Sequence, residues 1–392
     1  MKSEWQTKKI GEVVDIRRGS SPRPIHKFLA SEGMPWVKIA DATSDTSRYI
    51  WRTNEFIIDE GVNKSVKVVP ETLIVSNSAT PGLPKIMKIT ACVHDGWLVF
   101  FNYRGITRDF LYYKFVDIRH KLVNQANGSV FQNLKTDIVR DFDIDVPSIE
   151  TQQKIVGILS NIDEKIELNN AINNNLEQQA RALYKSWFID FEPFGGVMPI
   201  DWRTGQLKDI LKLKRNSIKA GQNTELPYLP IDVIPMKTFA ISEFKLNEEA
   251  KSSLVTFSKN DIIIGAMRVY FHRVVLAPCD GITRTTCFTL VPHNPEYLSY
   301  CLLCCDLDSS IEYAQTTSKG STMPYAIWDG GLGDMEISIP SLKVAKEFND
   351  VILPMLEKIQ SSYYENTYLK ELRDSLLSKL MSGDIDVSRV EI

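Results

Sequence analysis

The chain lacks most of the signals that would make it an enzyme or an exported protein. Its 392 residues contain six cysteines, Cys92 early and Cys279, Cys287, Cys301, Cys304 and Cys305 late. That distribution is unlike a paired secretory framework, so reduced thiols are expected. No run of about eighteen apolar residues occurs, and the opening "MKSEWQTKKI" has no apolar leader core; both point to a cytoplasmic protein with no membrane partner. The five histidines, His26, His94, His120, His272 and His293, are scattered without spaced partners. No metal site is expected. The Cys301–Cys305 "CLLCC" run lacks two further ligands at zinc spacing and reads as one face of a buried helix.

Catalytic patterns are absent as well. There is no GxxxxGK[ST], HExxH or GxSxG motif, no Asn/Asp-Pro-Pro-aromatic motif, and no glycine-rich loop after a strand. Asp232 with Glu243 and Lys245 has the spacing of a Mg²⁺-dependent nuclease, but Asp145 with Asp163 and Lys165 repeats it inside a helical pattern. A pattern that recurs this easily carries little information. "VHDGW" at His94 offers a base beside Asp95 without a nucleophile, and a structural role is the expectation there.

What is present is a duplication. "WQTKKIGEVVDIRRG" from Trp5 returns as "WRTGQLKDILKLKRN" from Trp202, and "DFDIDVPSIETQQKIVGIL" from Asp141 returns as "DMEISIPSLKVAKEFNDVI" from Asp334. Two similar units on one chain suit a two-part target better than a single pocket. Each copy begins with a short amphipathic stretch and a basic, turn-rich loop, then runs through β-branched segments such as "ETLIVSNSA" and "NDIIIGAMR". A helical segment and a Gly-Ser loop follow, and an alternating strand ending on proline closes each copy. The fold class is α+β, with mixed domains over residues 1–146 and 193–339, each followed by a long helix, 147–192 and 340–392.

Beyond each proline the period becomes heptad-like. Ile155, Leu159, Ile162, Ile166, Asn169, Asn173, Leu176, Ala180, Leu183 and Trp187 form one seam. Phe348, Ile352, Met355, Ile359, Ser362, Asn366, Leu369, Arg373, Leu376 and Leu380 repeat it. Both seams turn polar at the centre, so an antiparallel coiled coil would set Asn169 near Asn366 and Asn173 near Ser362, a layer that penalises slipped registers. The alternative is two helices on separate domains with these residues in solvent. Ser148 and Ser341 are placed to cap the helices, Pro193 with Gly195 and Gly196 to stop the first, Gly383 to stop the second, and Pro354 to kink it.

The net charge of −3 argues against a protein that coats nucleic acid by charge, but residues 1–146 carry 21 Lys and Arg against 17 Asp and Glu. A specific reader with local basic loops remains open. The first choice for DNA contact is the loop after the opening stretch of each copy: Arg17, Arg18, Ser20, Ser21, Arg23 and Lys27, and Lys214, Arg215, Asn216 and Lys219. Arginine bridges guanine or clamps phosphate, and Ser, Asn and Gln read base edges. The second choice is the Gly-Ser loops with their neighbours: Gly128, Ser129 and Gln132 with Ser76, Asn77, Ser78 and Lys85, and Lys319, Ser321 and Thr322 with Arg268, Tyr270 and Arg273.

The helix starts "VPSIETQQKI" and "IPSLKVAKEF", the central "LEQQARALYKSWFIDFEPF", the "GAMRVYFHRVVLAPCDGI" block and the terminal "LRDSLLSKLMSGDIDV" resemble the specificity subunit of type I restriction-modification systems. The second start departs from the pattern, with Ala345 and Lys346 where the first has Gln152 and Gln153. The resemblance implies two target-recognition domains that each read one half of a bipartite double-stranded DNA target. It implies helices that set the gap and dock two methyltransferase subunits, with motor-nuclease subunits joining for restriction. AdoMet, ATP and Mg²⁺ would then sit on those partners, and this chain would bind no cofactor. The rival readings are a scaffold joining two protein-binding domains and a self-contained nuclease using Asp232, Glu243 and Lys245.

Overall fold

The computed structural model describes residues 5–43, 47–126, 133–222, 225–241 and 243–390. It divides into two compact units, one of residues 1–167 with 369–392 and one of residues 168–368.

In the first unit nine strands carry the framework: β1 Gln6–Lys9, β2 Asp15–Arg18, β3 Met34–Val37, β4 Val66–Val68, β5 Leu73–Ser76, β6 Pro84–Met87, β7 Ala91–Val93, β8 Trp97–Phe101 and β9 Asp143–Val146. The second unit has their counterparts: β10 Arg203–Gln206, β11 Leu211–Leu213, β12 Tyr228–Leu229, β13 Leu254–Phe257, β14 Ile262–Gly265, β15 Val274–Leu276, β16 Gly281–Arg284, β17 Cys287–Pro292 and β18 Glu336–Ile339.

The pairing is the same in both. One sheet runs β2-β8-β5-β6 in the first unit and β11-β17-β14-β15 in the second, all antiparallel. The other contains β3-β7-β4 and β12-β16-β13, where the first pairing is parallel and the second antiparallel. The closing strand returns to the opening one in each copy, Gln6 opposite Val146 and Arg203 opposite Ile339. The duplication seen at the edges of the sequence therefore extends through the diverged interiors. Strands such as β5 and β14 are buried on both faces, which explains their unbroken β-branched runs.

Helix α1, Arg108–Ala126, packs on the first framework. Its counterpart is split into α3, Leu298–Cys305, and α4, Asp308–Thr316, at Asp306–Leu307. Cys301, Cys304 and Cys305 are buried in α3, and burial pushes their thiols above the usual range. The two long helices are α2, Ile149–Phe188, and α5, Leu342–Met381, each of 40 residues. Ser148 Oγ accepts the Thr151 amide at 3.3 Å, whereas Ser341 caps only through its carbonyl, which accepts the Ala345 amide. The assigned helix runs through Pro354 without interruption. Gly383 at φ 75° closes α5, as expected, with Asp384 N–H bonded back to Lys379 O. Helix α2 stops earlier than Pro193: it ends at Phe188, Phe191 is left-handed at φ 55°, and Gly195 and Gly196 follow at φ 78° and 80°.

Within each unit the helix segments run antiparallel. In the second unit Asn169 Nδ2 donates to Asn366 Oδ1 at 3.0 Å and Asn366 Nδ2 to Asn170 Oδ1 at 2.8 Å. Asn173 and Ser362 are buried as expected, but neither side chain finds a hydrogen-bond partner among the described residues. In the first unit Arg373 is bonded to Asp163 at 3.0 Å.

The buried stripe departs from the heptad reading. Ile155, Leu159, Ile166 and Ala180 are buried, and so are Phe348, Ile352, Ile359 and Leu380. Ile162, Leu176, Leu183, Met355, Leu369 and Leu376 are only half-buried, while Asp163, Glu177, Tyr184, Leu356 and Leu377 are buried in their place. The cause is a second partner. Ile155, Leu159, Leu377 and Leu380 belong to the first domain's core, and Ala180, Tyr184, Phe188, Phe348 and Ile352 to the second's. A helix packed on a domain as well as on another helix buries a wider arc than a two-stranded seam.

Candidate nucleic-acid interface

In the first unit the candidate loops converge on one turn. His94, Asp95 and Gly96 join β7 to β8, and therefore one sheet to the other. Arg18 Nε donates to Asp95 O at 2.8 Å, Ser21 Oγ to Asp95 Oδ1 at 2.6 Å, and Asn77 Nδ2 to Asp95 O at 3.0 Å. Arg23 pairs with Asp95 Oδ2 at 3.2 Å. The Ser21 hydroxyl holds the Asp95 carboxyl below its usual range despite partial burial. The close approach requires glycine at two places. A Cβ on Gly19 would lie 2.1 Å from His94 O, and one on Gly96 would lie 2.2 Å from the His94 ring.

Asp95 thus ties the Arg17–Lys27 loop to the Ser76–Ser78 loop, and Leu134 N–H, just beyond the Gly-Ser loop, bonds to Asn77 O at 2.8 Å. Arg17, Arg18, Arg23 and Lys27 are exposed and Ser20, Ser21 and Ser78 half-buried. Gly128, Ser129 and Gln132 lie outside the described residues. Ser76, Asn77 and Lys85 need correction as surface contacts. All three are buried: Ser76 Oγ bonds Thr80 O, Asn77 serves the Asp95 turn, and Lys85 Nζ bonds Ser47 O. They shape the loops from inside.

The second unit places its loops on the equivalent strands. The tip between β14 and β15 corresponds to the β5–β6 tip that carries Ser76–Ser78. Arg268 and His272, at φ 52° and 53°, bracket a short turn that presents Tyr270 and Phe271, 45% and 38% exposed, with ring centroids 4.9 Å apart. The tip is anchored from below. Buried His272 meets Asp306 Oδ1 at 3.0 Å, and Arg181 holds the same carboxylate at 2.7 Å.

Arg268 N–H donates to Pro324 O at 2.8 Å, Met267 bridges Tyr325, and Lys319 and Tyr325 exchange backbone bonds. The tip and the Gly-Ser loop with exposed Lys319, Ser321 and Thr322 therefore form one surface. Arg215, exposed, reaches Asp329 at 2.6 Å beside it. Asn216 and Lys219 are exposed on the following loop. Lys214 and Arg273 are corrected to internal roles: Lys214 pairs with buried Asp261 at 2.6 Å, and Arg273 donates to the Ile231 and Ile234 carbonyls. Sequence reasoning named Asp95 only as a partner of His94 and passed over Phe271 and Met323, the last 57% exposed beside Pro324. The Asp-Gly turn between two apolar runs was the available signal for Asp95.

Lys245 of the nuclease-like pattern is ion-paired with Asp232 at 3.1 Å on the surface. Among the described residues no three His, Cys, Asp or Glu side chains converge as a metal site would require, and no helix is long and apolar enough to cross a membrane.

The type I restriction modification DNA specificity domain family matches residues 2–178. The match spans the first domain and the first long helix as far as residue 178. The MjaIX specificity subunit of Methanocaldococcus jannaschii is 27% identical over 99% of this chain and 95% of its own length. The HindI specificity subunit of Haemophilus influenzae is 22% identical over 68% of this chain and 74% of its own length. The solved S subunit of a type I system from M. genitalium shares the fold, with a TM-score of 0.65, 16% identity and 96% of both chains covered. The family model and both relatives are DNA specificity domains or subunits of type I restriction systems, and the solved structure shares their fold with this chain. The second unit repeats the strand plan of the first, so the specificity fold occurs twice in this chain.

Proposed function

We propose that each unit reads one half of a bipartite double-stranded DNA target and that the paired helices fix the unread gap and dock two methyltransferase subunits. Motor-nuclease subunits join this complex for restriction, AdoMet, ATP and Mg²⁺ are held by those partners, and this chain selects DNA without catalysing a reaction. One observation carries the reading: the two units share nine strands in the same pairing, yet their corresponding hairpin tips differ completely, Asn77–Gly82 in one and Arg268–His272 in the other. A common framework with unlike tips is what two different recognition words require. The helices, about 60 Å long at 1.5 Å per residue, have the reach of a spacer.

The test is to express the chain with its methyltransferase partners and map DNA methylation across the host genome. A single motif of two defined blocks around a fixed unread gap is expected. Grafting the Arg268–His272 tip from a relative should alter one block and leave the other. A complex that methylates without sequence selectivity would favour the scaffold reading instead.

A further inference from the structure

A cleft of about 860 Å³ opens beside the Asp95 turn in the first unit. Trp36, Ile39 and Ala40 give it an apolar wall, Arg23 and Lys38 stand at its sides, and His94 faces it. Both cations are engaged, Arg23 with Asp95 and Lys38 with Glu55. His94 is differently placed. Its Nδ1 accepts the Gly96 N–H at 2.8 Å, which in the neutral ring leaves the proton on Nε2. Burial, against the pull of Asp95, holds the imidazole below its ordinary value, so that neutral form is the one present near pH 7.

The ring cannot turn over without losing the Gly96 bond, and it is seated against Gly96 so tightly that no larger residue fits there. Trp36 lies alongside it, centroids 6.1 Å apart. The result is one oriented N–H donor set beside an apolar wall. In the major groove, an acceptor next to an apolar group is the signature of thymine, whose O4 lies beside its 5-methyl. Guanine offers two acceptors and adenine an acceptor with a donor.

We propose that His94 is a specificity-determining residue of the first unit, its Nε2–H donating to thymine O4 while the 5-methyl group meets the Trp36–Ile39–Ala40 wall. The inference rests on the reading of the units as DNA readers and names the base one of them takes. It adds to the structural role expected for "VHDGW": the ring holds the turn, through Nδ1, and also faces the target, through Nε2.

The experiment uses the complex with its methyltransferase partners and the same methylation map. In His94→Asn the amide oxygen replaces Nδ1 as acceptor of the Gly96 N–H, but no donor reaches the cleft. His94→Gln restores a donor at the position of Nε2. We expect His94→Asn to relax one thymine position of one block, other bases there being methylated about tenfold more often relative to thymine, with the second block unchanged. His94→Gln should keep the thymine preference. An unchanged motif in a folded His94→Asn complex overturns the inference.

Should His94→Asn fail to fold, base analogues in oligonucleotides decide with the unaltered protein. At one thymine of that block deoxyuridine should weaken binding severalfold. At the same position 5-methyldeoxycytidine opposite guanine, which keeps the methyl but turns the acceptor into a donor, should weaken it by about tenfold or more. If no thymine responds to both, the inference is wrong. A wild-type complex that yields no two-block motif would instead refute the parent reading.

Discussion

Asn169 donates its side-chain amide to Asn366 across two antiparallel helix segments, 197 residues away along the chain. The bond is one part of a layer that is only partly satisfied: Asn169 Oδ1, both amide atoms of Asn173 and Ser362 Oγ have no partner among the described residues. A buried polar atom without a partner costs about 1–3 kcal/mol, whereas a paired one contributes about 1 kcal/mol.

The layer therefore predicts opposite signs for neighbouring substitutions. Asn169→Leu strands Asn366 Oδ1 and should lower stability by about 1–3 kcal/mol, and Asn169→Leu with Asn366→Leu should recover most of that. Ser362→Ala removes an orphaned hydroxyl and should raise stability by about 1 kcal/mol. Denaturant midpoints of the single and double variants check all three. A loss in Ser362→Ala would show that bound water completes the layer.

In the first unit Asp163 receives Tyr113 Oη at 2.7 Å and Arg373 at 3.0 Å, and Arg48 bonds Tyr113 at 3.1 Å and Glu164 at 2.9 Å. Asp163→Leu leaves buried Tyr113 and half-buried Arg373 without their shared acceptor and should cost about 3 kcal/mol. Tyr113→Phe should cost about 1 kcal/mol. A double-mutant cycle between positions 113 and 163 should be non-additive by about 1 kcal/mol, measured from urea unfolding.

Lys114 gives a pH signature. Burial pushes its ammonium down to about 8, while its Nζ donates to Met381 O at 2.8 Å. Between pH 8 and the ordinary lysine value near 10.5 the unfolded chain holds this proton and the folded chain has released it, so this group makes stability rise with pH there. Tyr112 and Tyr113, held above their usual range by burial, act oppositely from about pH 10. Subtracting the urea midpoints of Lys114→Met from those of the unaltered chain cancels the tyrosines. The difference should climb from pH 8 to 10; a flat difference would contradict the buried ammonium.

For the second unit, Arg268→Ala should weaken target binding by the complex by about 1–3 kcal/mol if the guanidinium reads a base, with specificity relaxed at one position of one block. A phosphate contact would instead lower affinity uniformly and reduce the salt slope by about one ion. Binding isotherms on matched and single-substituted duplexes at several salt concentrations separate the two.

Much of this was legible in the chain. The duplication, the closing strands, two helices of about 40 residues and the polar centre of their seam all follow from local periodicity and from residues at fixed offsets. What was not legible depends on which loops meet. Ser76, Asn77 and Lys85 look like surface residues in "ETLIVSNSA" and its continuation, but each is buried on a partner distant in the pattern or across a turn: Asn77 on Asp95 O, Ser76 on Thr80 O and Lys85 on Ser47 O. The heptad reading placed Asp163 and Glu177 outside the seam because it assumed one partner per helix. Each is buried against a domain, Asp163 beside Tyr113 and Glu177 beside Thr238. His94 was assigned a structural role, which its bond from Gly96 N–H fills, but only the fold shows that the same ring lines a cleft.

The second unit is one uninterrupted stretch, Leu168–Tyr368, but the first is closed by the chain's last segment: Leu377 and Leu380 fill its core, Met381 O receives Lys114, and Ser388 O receives Lys154. Synthesis from the N-terminus therefore delivers the first domain's strands long before the residues that complete its core. The unit encoded in the middle can finish folding while the unit encoded before it still waits for the ribosome to reach residues 369–390.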